Sequence, residues 1–280
     1  MKQQNRTKIL VEVAFMVALA TVLSVLKVAE LPYGGSVTLA SMLPILLISY
    51  RHGVLWGLAG GAVHATLQQL LGLSNLMWFT TWQSVVAVIL LDYVLAFTLV
   101  GLGGVFRRVI RRQHLALAAG AVLVSLLRYA CHVLAGATVW AGLSIPTEAA
   151  LAYSFGYNAT YMLPEAIVLV LAAWYLGTLL DFRRETPVRL VREGIAPETG
   201  WISALAGFIG FGVLVADVTM VFGKLQNAET GEFDITGLTL TPFVESVWLP
   251  VLIVTAVGAA LVTALLLLRR RRTRENEREC

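Results

Sequence analysis

Eight runs of predominantly apolar residues dominate this 280-residue chain and leave few folds open to it. They lie at about Ile9 to Leu26, Val37 to Tyr50, Val54 to Leu73, Ser84 to Val105, Leu115 to Ala141, Phe155 to Leu180, Trp201 to Phe222 and Val247 to Leu268. A helix crossing the hydrocarbon core of a bilayer takes roughly 20 apolar residues, so the pattern predicts an all-α, polytopic integral membrane protein. The composition agrees, with 58% hydrophobic and only 14% charged residues and a mean hydropathy of +0.78. A cytosolic enzyme, a disordered chain and a fibrous repeat are excluded. The second run is short, contains Pro44 and follows Gly34-Gly35, which predicts a broken or tilted helix. The Arg- and Pro-containing segment after Leu180 divides the chain into a six-helix domain (1–182), a cytoplasmic linker (183–199) and a two-helix extension with a basic tail (200–280).

The net charge of +4 arises from short basic clusters between the runs, not from a stripe on a soluble face, so no nucleic-acid partner is expected. Cytoplasmic loops collect Lys and Arg. With the N-terminus inside, all of the 21 basic residues except Lys27, Arg128 and Lys224 fall on the cytoplasmic side. Both termini are therefore expected in the cytoplasm, in a multi-pass protein of the cell membrane. Glu12 interrupts the first run, which favours a retained helix over a cleaved signal peptide. The two cysteines, Cys131 in an apolar run and Cys280 on the charged tail, read as free thiols.

Ionisable residues inside a span are costly and mark either a function or a paired network. Here they are His64, Asp92, Arg128, His132, Glu165 and, near a helix end, Asp217. The orientation above puts Asp92 about eight residues, or roughly 12 Å, below the outer surface. Asp92, Tyr93, His132, Trp140, Tyr153 and Asn158 then share the outer half of the membrane, although they come from three helices. Along the fifth run Arg128, His132, Gly136 and Trp140 recur every four residues and line one face. A carboxylate, an imidazole, an amide and several aromatics converging on an externally open cavity suit a small, flat, partly cationic ligand, which an indole face attracts by about 0.5 to 2 kcal/mol.

Each residue also has a structural reading. Trp140 and Tyr153 suit an interface belt, and His132 suits helix packing as well as ligand contact. Arg128 lies at the depth of Glu165 and suits an intramembrane ion pair, while His64, Gln68 and Gln69 suit interhelical hydrogen bonds. Ala14 and Ala18 form a small-residue pair on the first helix, with Ala20 and Ser24 a second; either packs within the chain or offers a partner surface. No nucleotide-binding P-loop occurs, since Gly223-Lys224 is followed by Leu225, and no H-E-x-x-H, CxxC or G-x-S-x-G motif is present. The reading is of a non-enzyme without metal or cofactor, whose transport, if ATP-driven, takes its power from another subunit.

Several stretches carry a resemblance: VAFMVALA from Val13, PYGGSVTLASMLPILLISYRHG from Pro32 to Gly53, LLDYVLAF from Leu90 to Phe97, LLRYACHVLAGA from Leu126 to Ala137 and AYSFGYNATYMLP from Ala152 to Pro164. In this order, over roughly residues 9 to 180, the chain resembles the thiamin-specific substrate-binding subunits (S-components) of energy-coupling factor transporters. The resemblance implies capture of thiamin from outside in a pocket of the fourth, fifth and sixth helices, capped by the loop after the first. It implies polar contacts to the vitamin from Asp92 and Asn158 and ring contacts from His132 and Trp140, with Gly136 between them and Tyr153 close by. It further implies that Ala14 and Ala18 dock a transmembrane coupling subunit, which two cytoplasmic ATPase subunits drive. The chain departs from the family in having aspartate where some members have glutamate, Gly34-Gly35 where some have an aromatic, and two helices beyond Leu180. Rival readings are uptake of a thiamin precursor or another vitamin, an ion-coupled secondary transporter and a membrane scaffold.

Overall fold

The computed structural model describes residues 2–30, 35–141, 143, 147, 150–190, 200–225 and 244–279; Gly34, Cys280 and the part of the expected linker from 191 to 199 lie outside them. The chain divides into two compact units, Met1–Leu190 and Val191–Cys280.

The first unit begins with helix α1 (Lys2–Val25). Its inner face buries Val17, Ala20 and Ser24, while Val11, Phe15 and Val22 on the other side are each more than half exposed. Such an inside-out face is what lipid requires, because acyl chains solvate apolar side chains as well as a protein interior does. Ala14 and Ala18 lie on this exposed face, so the small pair that packs within the chain is Ala20 and Ser24. The chain then forms strand β1 (Lys27–Glu30), antiparallel to β2 (Ser36–Thr38).

Here the structure corrects the sequence reading. The second apolar run does not form one broken span: Val37 belongs to β2, and helix α2 covers only Leu43–His52, ten residues. At 1.5 Å per residue it is about 15 Å long, half a bilayer core. Pro44 sits in its first turn, where its missing N–H is no loss, so the proline starts the helix and does not break it. All residues from Leu43 to Arg51 are buried, and Ile45, Leu46, Ile48 and Tyr50 are at most 1% exposed. A helix apolar on every side needs surroundings that are apolar on every side, and here these are protein. Helix α2 is the core around which the first unit is built.

Gly53, at φ +100°, lets the chain turn directly from α2 into α3 (Val54–Leu71). Helix α4 is a continuous span over Trp82–Arg107. It contains a π-helical stretch at Ile89–Leu95, which holds Asp92, and a 3-10 stretch at Leu99–Arg107. Helices α3 and α4 approach to backbone contact, since a Cβ on Gly101 would lie 2.3 Å from the carbonyl carbon of Gly57. Helices α5 (Gln113–Thr138) and α6 (Ala150–Leu179) complete the bundle, followed by a small antiparallel pair, β3 (Leu180–Asp181) and β4 (Val188–Arg189).

Arg51, which the sequence offers only as a topology signal, is buried at the end of α2. It pairs with Glu12 and donates to the carbonyls of Phe182 at 3.2 Å, Arg184 at 3.3 Å and Glu185 at 2.9 Å. The carboxylate that interrupts the first apolar run thus has a cation waiting for it.

In the second unit α7 (Gly200–Leu225) packs against α8 (Leu249–Glu279). Gly210 faces Val262, Val213 faces Gly258 and Thr255 donates to Asp217 at 2.6 Å, an order that makes the two helices antiparallel. Among the described residues five helical stretches are long and apolar enough to cross a membrane: Arg6–Val25, Trp82–Arg107, Gln113–Thr138, Ala150–Leu179 and Ser246–Thr273.

Candidate functional site

The first unit encloses a cavity of about 960 Å³. Its longest wall is the α5 face read from the four-residue spacing: Arg128, His132, Gly136 and Trp140 all line it. Arg128 and Gly136 stand eight residues apart, about 12 Å along the axis, and Trp140 follows two residues after the helix ends.

Asp92 faces this row. Its Oδ1 lies 2.8 Å from His132 Nδ1, and its Oδ2 accepts from Trp140 Nε1 at 2.8 Å. A carboxylate acts here as acceptor only, so the bond assigns the imidazole proton to Nδ1. That leaves Nε2, which is buried and without a protein partner. Phe79 fixes the indole from another side, with ring centroids 4.7 Å apart and planes at 74°. The charge of Asp92 is thus steadied by an imidazole and an indole N–H, and no Lys or Arg bonds to it among the described residues.

Helix α6 supplies Asn158, whose Nδ2 donates to Ser154 O at 2.9 Å and His132 O at 3.3 Å, while its Oδ1 accepts from Tyr161 at 2.6 Å. These bonds lock the amide plane, and Oδ1 keeps a second lone pair for a ligand. Gly136 admits α6: a Cβ there would stand 2.1 Å from Ser154 Oγ. Its smallness serves the approach of a neighbouring helix as well as access to the cavity. Tyr93 lines the cavity through a ring whose hydroxyl accepts from Asn75 at 3.0 Å, tying α4 to the connection after α3.

Tyr153 stands beside the wall residue Trp140. It packs against the cluster of Phe79, Ala135 and Trp140 and is not part of the cavity wall. The four-residue spacing puts Tyr153 on the face of α6 that carries the wall positions Tyr157, Tyr161 and Glu165, one turn nearer the start of the helix. Tyr161, Tyr157, Trp78 and Asn75 are wall residues that the sequence reading did not single out. Tyr157 and Tyr161 were legible, the first being next to Asn158 and the second one helical turn after it. Asn75 carried no signal, since its place depends on how the α3–α4 connection folds back.

At the other end of the row Arg128 pairs with Glu165, and both line the cavity. Glu165 Oε1 also accepts from Thr38 at 2.6 Å, and the guanidinium lies 4.7 Å over the ring of Phe97. His64 is fully buried, with Nδ1 3.3 Å from Thr21 Oγ1, and Gln68 donates to Ser24 at 2.6 Å; these bonds link α1 to α3. Among the described residues no three His, Cys, Asp or Glu side chains gather as metal ligands. The chemistry on offer is recognition: an anchored carboxylate, an oriented amide and aromatic walls around a space of small-molecule size.

Comparison with known proteins agrees with this geometry. The family described as Thiamine transporter protein (Thia_YuaJ) matches residues 10–181. The thiamine transporter ThiT of Bacillus subtilis (strain 168) is 35% identical over 179 residues, 60% of this chain and 89% of that protein. A solved structure of ThiT from Listeria monocytogenes shares the fold at a TM-score of 0.51 and 22% identity, covering 62% of this chain and 94% of that one. The matched residues include every wall position of the cavity, and the chain belongs to the Thia_YuaJ family of thiamine transporter proteins.

Proposed function

We propose that this chain is the substrate-binding subunit of an ATP-driven energy-coupling factor importer, taking thiamin from the extracellular side and delivering it to the cytoplasm. The observation that carries the reading is the Asp92 carboxylate held between His132 and Trp140 in the wall of a 960 Å³ cavity. Thiamin is a cation with an aminopyrimidine edge. Asp92 and the free lone pair of Asn158 accept from that edge, His132 Nε2 offers a further polar contact, and the aromatic walls hold the cationic ring. Strand β2 contributes Ser36 and Thr38 to the cavity wall. Both termini face the cytoplasm, where the basic clusters collect. The exposed Ala14 and Ala18 face of α1 docks a transmembrane coupling subunit, and two ATPase subunits supply the power that a chain without a P-loop lacks.

The test is calorimetry on the purified protein. Thiamin binding without ATP is expected; no thiamin binding, together with tight binding of a different vitamin, rejects the assignment. Competition with the free pyrimidine separates uptake of the vitamin from uptake of a precursor.

A further inference from the structure

The capture of a cation by Asp92 leaves one pair of charges in the cavity wall without a task. Arg128 is 7% exposed and Glu165 1% exposed, and they are bonded to each other. Both oxygens of the carboxylate are occupied, one by Arg128 and the other by the Thr38 hydroxyl at 2.6 Å. The guanidinium is less fully used: Nη1 meets Glu165 and, at 3.4 Å, Met42 Sδ, while the buried Nε has no protein partner. A guanidinium in a cavity wall is the group best shaped to bind a phosphate. Glu165 prevents that by cancelling its charge. Arg128 stands one turn from His132, about 6 Å along α5, so a ligand read by Asp92 at one end reaches Arg128 with the other.

We propose that Glu165 is a specificity-determining residue: its pairing with Arg128 withholds the guanidinium from anions, so that the cavity accepts the free alcohol of its ligand and discriminates against the phosphate ester. The inference rests on the thiamin reading above. Thiamin ends in a primary alcohol, and its monophosphate adds only an anionic group there. Glu165→Gln keeps the shape of the side chain. Its amide oxygen accepts from Arg128 and its amide nitrogen donates to Thr38, but the neutralising charge is gone. Arg128→Gln removes that cation and leaves the Glu165 carboxylate without its partner, with Lys27 the remaining basic residue among the described cavity-wall residues.

The experiment titrates the full-length protein in detergent with thiamin and, separately, with thiamin monophosphate, and reads the ratio of the two affinities. The unsubstituted protein should favour thiamin. Glu165→Gln should narrow that preference at least tenfold, and Arg128→Gln, which strands the Glu165 carboxylate, should widen it. A pair with only a structural role moves both affinities together and leaves the ratio unchanged. Equal binding of both ligands by the unsubstituted protein overturns the proposal, as does an unchanged ratio in folded Glu165→Gln. Should Glu165→Gln fail to fold, Arg128→Gln decides: a widened ratio upholds the proposal, and an unchanged or narrowed one rejects it. Failure of the unsubstituted protein to bind thiamin at all strikes the thiamin reading itself, a result distinct from an unchanged ratio.

Discussion

A charged carboxylate inside a membrane protein survives only where something steadies it, and the partners of Asp92 define what the site does. The bonds from His132 and Trp140, each 2.8 Å, orient the carboxylate. Asp92→Asn keeps the volume and removes the charge; Trp140→Ala removes the indole donor and the surface that packs on Phe79. Each should weaken thiamin binding by more than tenfold, or about 1.4 kcal/mol, in calorimetry on folded protein. Unchanged affinity would place the ligand elsewhere. The residue types at this site were legible because an ionisable group in an apolar run stands out. Their partners were less so: sequence depth places Asp92 level with His132, but the indole N–H that completes the arrangement depends on the π-helical stretch of α4, which shifts side-chain directions by an amount that periodicity does not foresee. Tyr153 packs against the cluster that holds Trp140, a wall residue, and that contact depends on how α6 is rotated against α5.

Single elements were well marked at their ends and poorly marked in their surroundings. Helix α1 shows both sides of this. Its two small-residue pairs look alike in sequence, yet Ala20 and Ser24 are buried while Ala14 and Ala18 face outward. Bulky substitutions at Ala14 and Ala18 should therefore abolish uptake in cells while leaving thiamin binding by the purified protein intact; loss of binding would make these positions part of the internal packing. The α3–α4 contact makes a stability prediction. Gly101→Ala would drive a Cβ to within 2.3 Å of the Gly57 backbone, a clash with no flexible side chain to yield. Overpacking of this kind costs about 1 to 3 kcal/mol. The variant should melt at a clearly lower temperature in detergent, and an unchanged melting temperature would show that the two helices do not meet there.

For the whole molecule, the division of labour follows the two units. Every described residue lining the cavity belongs to the first, and the family match ends at residue 181. A chain ended after Leu190 should bind thiamin within about threefold of the full-length affinity, a difference of about 0.7 kcal/mol at most. Loss of binding in a folded truncated protein would assign the last two helices a part in the site. Transport is the second test at this scale. Reconstituted alone in proteoliposomes, the chain should accumulate no thiamin under a proton or sodium gradient; uptake under such a gradient would favour the ion-coupled secondary transporter.

Hydropathy and basic-residue placement, read along one dimension, were enough to establish a helical membrane protein, the order of its apolar segments and the face of α5 that carries Arg128, His132, Gly136 and Trp140. These follow from solvent and helical period alone, which act on each segment separately. Which apolar helix meets lipid and which meets protein was decided only by the tertiary structure. Hydrocarbon and a packed protein interior are equally apolar, so the fully buried α2 reads from sequence as another span. The same holds for the site, where the pairing of Asp92 with an indole and of Arg128 with Glu165 depends on how neighbouring helices are rotated against one another, a quantity fixed by packing and carried by no single segment.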